Sequence, residues 1–401
     1  MRYKLRFSLF FFAMALFNLA SNFVHPVTPT LIQDLNLPDY MFGLMLASTL
    51  LAMFLFSPFW GKINNMVSTR TILLICCLGY SAAQLCFAHA SDQIFILIVR
   101  FLAGFFGGGI YVGFLTYIIN VAKPEDQGKF LTYNATIQAV FSAFGYLVGG
   151  ILGEFSILGT FYIHVLGVSA SGVIFRLACE TDLATAEKIP VRQILKESNP
   201  LQALFDGRHF MSKAFALLFA VNILTNFGNT GFDQVFNYYL KDQLGMTSSY
   251  NGIIKAAVGL VSFVANMSLC LWIIRKTNVR KSTVYTTMFC AAAAIGALLI
   301  TEIPIYIFCS IMVYAGYSVS LPLVQHMAAE QAMPGQKNLV MGFYNATKWL
   351  GCVIGSLTSG LLYTIHAKLP FAMVAAAYCI SIAAALGYLL CGKKRSAHAT
   401  S

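Results

Sequence analysis

Arg100, Asp233, Lys255 and Lys348 are ionisable side chains that lie inside long apolar stretches of this sequence. A charged group in hydrocarbon costs several kcal/mol to bury, so each is a candidate for proton, ion or substrate chemistry. Counted from the nearer end of their stretches, Arg100, Asp233 and Lys255 fall roughly 10 Å deep, in one layer, at about 1.5 Å per residue. Asp233 suits a proton-coupling carboxylate. It equally suits a structural ion pair with Lys255, since a short loop joins the two segments. Lys348 lies deeper, with no acid near it in sequence. It suits contact with a carboxylate or phosphate of a substrate, a lysine that is neutral when the site is empty, or pairing with Asp233. His326 and Glu330, four apart on one helical face, fit either a proton relay or two solvated groups near an exit.

The chemistry of an enzyme is not written here. There is no phosphate-cradling glycine loop, so ATP is not the expected driving force. No stretch holds paired metal ligands or a nucleophile–base set, and neither a catalytic residue, a metal nor a cofactor is expected. The ten cysteines are scattered through apolar segments without the spacing of a disulfide framework or metal site.

What positions these residues is a membrane. Hydrophobic residues make up 58% of the chain and charged residues 10%, too apolar for any soluble globule to bury. Read for apolar runs of about 20 residues, the chain gives about twelve helical spans. The first six are 7–31, 40–61, 71–90, 93–120, 129–153 and 157–178. The second six are 213–240, 249–274, 282–301, 303–332, 338–365 and 370–391. Short alternating segments of a transmembrane barrel do not occur. The opening "MRYKLRFSLFFFAMALFNLA" has the basic and apolar parts of a signal peptide, but the apolar run continues past Ala20, so it reads as the first span.

Of the 26 Lys and Arg, all but five fall at the N-terminus, the even-to-odd loops and the C-terminal tail. The positive-inside rule then places both termini in the cytoplasm, with the protein in the cell membrane. The formal charge of +11 is explained as an insertion signal, and no nucleic-acid partner is needed. The expected domains are a six-helix bundle over 1–178, a cytoplasmic linker over 179–212, a second bundle over 213–391 and a tail over 392–401. Within the linker, Val191, Ile194, Leu195, Leu201 and Leu204 recur at helical spacing, as in a helix lying on the membrane face.

"YNAT" occurs twice, at Tyr133–Thr136 and Tyr344–Thr347, an offset of 211. Pro124 and Pro334, Arg70 and Arg280, Gly149 and Gly360, and Gly43 and Gly252 recur at nearly the same offset. The chain thus reads as a tandem duplication of a six-helix unit. Two copies in the same orientation give parallel repeats about an axis along the membrane normal. The fold class expected is all-α integral membrane, twelve spans in two parallel six-helix repeats.

Several loops carry a family resemblance. "SPFWGKINNMVSTR" (57–70) resembles the loop between helices two and three of major facilitator transporters, keeping Gly61 and Arg70 but with Asn65 and Met66 at the acid and following base. "RFLAG" (100–104) resembles the helix-four arginine motif, and "GYLVGGILGE" (145–154) the helix-five antiporter motif Gly-Pro-x-x-Gly-Gly. Gly145, Gly149 and Gly150 remain there, and Tyr146 replaces the proline. The closest branch is the twelve-helix drug:proton antiporters.

The resemblance implies gating roles for Gly61, Arg70, Gly145, Gly149 and Gly150, and a gate or protonation role for Arg100, whose alternative is a packing anchor hydrogen-bonded to carbonyls. It implies proton coupling for Asp233. It also implies a cavity lined by helices one, four, seven and ten, which carry Asn18, Asn22 and His25; Tyr111; Asn222, Asn226 and Asn229; and Tyr314, Tyr317, Gln325 and His326. The function expected is secondary transport of a small organic molecule by alternating access, as a monomer, with proton-coupled multidrug efflux the leading form. An organic-anion transporter using Lys348 and Lys255 is the alternative, and a lipid or glycolipid flippase the third.

Overall fold

Long apolar runs leave the backbone one solution in hydrocarbon, which is to pair every amide within its own helix. The computed structural model describes residues 3–64, 66–182, 211–331 and 337–398, and these are helical nearly throughout. The elements are α1 Tyr3–Ser21, α2 Thr28–Asp34, α3 Met41–Ile63, α4 Thr69–Ala88, α5 Gln93–Val121, α6 Pro124–Phe155 and α7 Ile157–Ala178. After residues 183–210 come α8 Lys213–Asp242, α9 Ser248–Lys276, α10 Val279–Leu299, α11 Ile303–Gln331, α12 Lys337–Ile365 and α13 Leu369–His398.

Among the described residues, eleven helices are long and apolar enough to cross a membrane. The remaining expected span forms as α12, 29 residues long, whose first half carries Lys337, Asn338, Asn345 and Lys348. The expected linker helix and Asn65 lie outside the described residues.

Local chemistry fixes the ends. Asp92 caps α5 by accepting from the Phe95 amide at 2.8 Å, and Ser156 caps α7 by accepting from Gly159 at 2.9 Å. His25-Pro26 interrupts the first span: α1 stops at Ser21 and helix resumes at Thr28. Proline has no amide to donate, and Thr28 supplies the Val24 carbonyl with both its amide (3.1 Å) and its hydroxyl (2.7 Å). In α9 the helix widens to a π turn over Asn266–Cys270.

The chain divides into two compact units. One comprises Met1–Leu37, Ser48–Pro200 and Leu240–Gly259; the other comprises Pro38–Ala47, Leu201–Tyr239 and Leu260–Ser401. The first has an aromatic core in which Phe7, Phe10, Phe17, Phe114, Tyr117 and Phe175 are almost wholly buried. The second centres on Phe215, Phe219, Val324, Met327, Tyr344 and Tyr388. The repeat is visible in the packing: α4 lies against α5 and α7, and α10, its counterpart, lies against α11 and α13.

Helix pairs α1–α6 and α8–α12 repeat one contact. A Cβ on Gly145 or Gly149 would strike the backbone of Leu19 or Phe23. One on Gly351 or Gly355 would strike that of Ile223 or Phe227. Only glycine permits backbones this close. By this contact the copies of α6 and α12 are 206 apart (351 − 145 and 355 − 149), against 211 for the tetrapeptides. Five residues of α-helix turn a side chain well over a quarter circle. Accordingly Tyr133 is exposed and Asn134 buried, whereas Tyr344 is buried and Asn345 exposed. The duplication stands, but the two "YNAT" copies occupy different faces and are not equivalent positions.

Candidate functional site

On α8, Asn222, Asn226, Asn229 and Asp233 follow one another at intervals of four, three and four, which puts them on one face. In the second unit this stripe meets the tyrosines of α11. Tyr314 donates to the Asp233 carboxylate at 2.9 Å, and Tyr317 donates to Asn226 Oδ1 at 2.7 Å. Gln234 also donates to Asp233, at 3.4 Å. Asp233 is half-buried. Rings surround Tyr314: Phe232 and Phe236 meet it edge-on with centroids 5.5 and 5.9 Å away, and Phe371 and Tyr306 extend the cluster. An anionic group at the edge of an aromatic cluster is suited to a lipophilic cation or to a proton.

Below Tyr317 the stripe becomes a hydrogen-bonded ladder. Asn226 donates to the Asn222 carbonyl at 2.7 Å, and fully buried Asn222 donates to the Tyr344 carbonyl and the Thr347 hydroxyl, both at 2.9 Å. The second "YNAT" thus anchors α12 to α8. The first unit repeats the motif: "NLASN" and "NILTN" place Asn18 and Asn22 like Asn222 and Asn226. Asn22 donates to the Asn18 carbonyl at 2.8 Å and to Ser142 on α6 at 3.1 Å. Asn229 keeps a buried Oδ1 without a partner among the described residues. Lys348 is half-buried on α12, with its ammonium 5.4 Å from the Trp349 ring centroid.

In the first unit, Tyr146 gathers two of the expected residues. His25 stacks on its ring at 5.4 Å with planes 12° apart, and Lys255, at the start of α9, places its ammonium 5.5 Å from the same centroid. Gly150 next to it lies against the Ser248 carbonyl and Gly252, where Glu154 accepts from the Ser249 amide at 3.0 Å. Arg100 is buried on α5 over the Phe87 ring, and its own carbonyl accepts from Thr49. Its Nε has no hydrogen-bond partner among the described residues. Tyr111, half-buried on the same helix, packs edge-on to Phe17 and Phe114. His326 and Glu330 are both exposed, near the end of α11.

Sequence reading missed an acid that the structure makes prominent. Asp182, just past α7, caps α4 from a distance. It accepts from the Thr69 amide (2.9 Å), the Ser68 hydroxyl (3.0 Å) and the Thr69 hydroxyl, with Asn120 of α5 at 3.5 Å. Beside it Glu180 pairs with Arg6, and its amide donates to Tyr117 at 3.2 Å. Arg70, half-buried in the first turn of α4, follows directly, and a Cβ on half-buried Gly61 near the end of α3 would meet nothing within 4 Å among the described residues. A lone aspartate in a polar stretch carries no spacing signal. His164 and Gln84, isolated in apolar runs, were missed for the same reason.

The family model described as Major Facilitator Superfamily matches residues 10–356 and 218–401. The chain belongs to the major facilitator superfamily. Its relatives include Multidrug resistance protein 1 of Bacillus subtilis, 21% identical over 373 residues that cover 91% of both chains. Quinolone resistance protein NorA of Staphylococcus aureus is 19% identical over 364 residues, covering 90% of this chain and 91% of NorA. Among solved structures, a bacterial homologue of the iron transporter ferroportin in an inward-facing state superposes with a TM-score of 0.76 at 12% identity. It covers 97% of this chain and 99% of its own. These likenesses support the expected fold of two parallel six-helix repeats, and a membrane transporter of small molecules rather than an enzyme.

Proposed function

We propose that this transporter exports lipophilic organic molecules, cations foremost, in exchange for protons carried by Asp233. The observation that carries the reading is Asp233 itself, half-buried on α8, bonded to Tyr314 at 2.9 Å and edged by an aromatic cluster. A carboxylate there can hold either a proton or a cation. Competition between the two is the simplest form of exchange, because one site cannot bind both at once. That relatives sharing about a fifth of their residues are multidrug and quinolone resistance proteins supports the same substrate class. The transporter works by alternating access as a monomer in the cell membrane. Both termini are cytoplasmic, and residues 179–212 link the bundles of 1–178 and 213–391.

The second reading, an organic-anion transporter, rests on Lys348, a half-buried cation in the middle of α12. One experiment separates them. Protein reconstituted in liposomes with an imposed pH gradient is offered tetraphenylphosphonium or a fluorescent carboxylate. Gradient-driven movement of the cation, lost in Asp233→Asn and kept in Lys348→Gln, is expected. Movement of the carboxylate alone, lost in Lys348→Gln, would replace the cation reading with the anion one.

A further inference from the structure

We propose that the first unit holds a binding site for a small monovalent anion, of the size of chloride or formate, with Arg100 as its counter-charge. Arg100 is 7% exposed, its Nε has no hydrogen-bond partner, and it forms no ion pair among the described residues. Its Cζ lies 5.2 Å from the Phe87 ring centroid, so an aromatic face covers one side. A ring face alone does not offset a full charge withdrawn from water, and a buried cation calls for an anion.

The groups around it form a set. Tyr80 and Gln84 come from α4, Arg100 from α5 and His164 from α7. Gln84 Nε2 donates to the Tyr80 hydroxyl at 2.9 Å, which leaves the hydroxyl proton to point elsewhere. Gln84 Oε1 is buried without a partner among the described residues. His164 is wholly buried, with Nδ1 2.8 Å from the Ala20 carbonyl. A carbonyl only accepts, so Nδ1 carries the proton and Nε2 presents a lone pair, which also has no partner. The Tyr80 and His164 rings are 5.7 Å apart, and Tyr80, Gln84 and Phe87, the ring under the guanidinium, follow at intervals of four and three on one face of α4.

Three helices therefore aim two donors, Arg100 and Tyr80, and two acceptors, Gln84 Oε1 and His164 Nε2, into one buried neighbourhood. Water alone would fill the hydrogen bonds but leave the charge. An anion on Arg100 and Tyr80 neutralises it, and one water beside the anion satisfies Gln84 and His164. Tyr80 is half-buried although it belongs to this interior cluster. The site uses neither Asp233 nor Lys348, and its failure would leave the transport reading standing.

The test uses the purified full chain in detergent at fixed ionic strength, with sodium gluconate exchanged for chloride, bromide or formate. At about 100 times its dissociation constant a bound anion raises the melting temperature by about 3–5 °C. The rise is expected to saturate, to vanish in Arg100→Gln, to weaken in Tyr80→Phe and to persist in Arg176→Gln. Should Arg100→Gln not fold, crystals of the unaltered protein grown in bromide decide the matter through an anomalous peak between Arg100 and Tyr80. Identical melting in gluconate and halide, or density there without anomalous signal, overturns the proposal in favour of water only. A bromide peak without any halide effect on melting marks binding at crystal concentration only and also counts against it.

Discussion

The ammonium of Lys255 stands 5.5 Å from the ring centroid of Tyr146, the residue that takes the place of the proline in the antiporter pattern. His25 stacks on the same ring. The departure from the pattern thus supplies a platform for a buried lysine. Tyr146→Leu removes the ring and is expected to destabilise the protein by about 1 kcal/mol beyond lost packing, within the 0.5–2 kcal/mol range of a cation–π contact. Tyr146→Phe keeps the face and should melt above Tyr146→Leu. A phenylalanine variant that melts as low as the leucine one would show that the ring face does not hold Lys255.

The glycines of α6 and α12 differ sharply from the loop-proximal Gly61 in what a methyl group would meet. Gly149→Ala drives a Cβ into the Phe23 backbone and Gly355→Ala into that of Phe227, while Gly61→Ala meets nothing within 4 Å. The first two are expected to cost about 1–3 kcal/mol each by overpacking, and the third to be neutral. Size-exclusion profiles and melting temperatures of the three variants check the contrast.

Asp182 satisfies the first amide of α4 and two hydroxyls with one carboxylate. Its replacement by alanine loses a cap and strands the Thr69 amide, for about 1–3 kcal/mol. Asp182→Asn retains an acceptor oxygen and should fall between parent and alanine in a thermal melt. Equal melting of all three would mean that solvent takes over the cap.

The ladder between α8 and α12 predicts coupling. Asn222→Leu and Thr347→Val remove the two ends of one buried hydrogen bond, and a double-mutant cycle in chemical unfolding should return an interaction of about 1 kcal/mol. Asn345→Ala, on the exposed face of the same helix, should change stability by less than about 0.5 kcal/mol. An additive cycle would remove Asn222 from the ladder.

Much of this protein was legible in its sequence because lipid leaves few choices. Apolar runs near 20 residues must be helices, a doubled set of six must be a repeat, and His25-Pro26 must break the first span. The Asn222–Asp233 stripe was readable too, since helical periodicity alone puts those residues on one face. Tertiary structure decided what periodicity cannot express. Which glycines meet which backbones set α12 against α6 at an offset of 206 and separated the two "YNAT" copies onto different faces. Tyr146 beneath Lys255, Asp182 at the head of α4, and Arg100 with Tyr80, Gln84 and His164 each unite residues from different helices. Sequence order constrains neighbours along one helix. Contacts between helices depend on rotation and approach, which side-chain packing sets only once the bundle has formed.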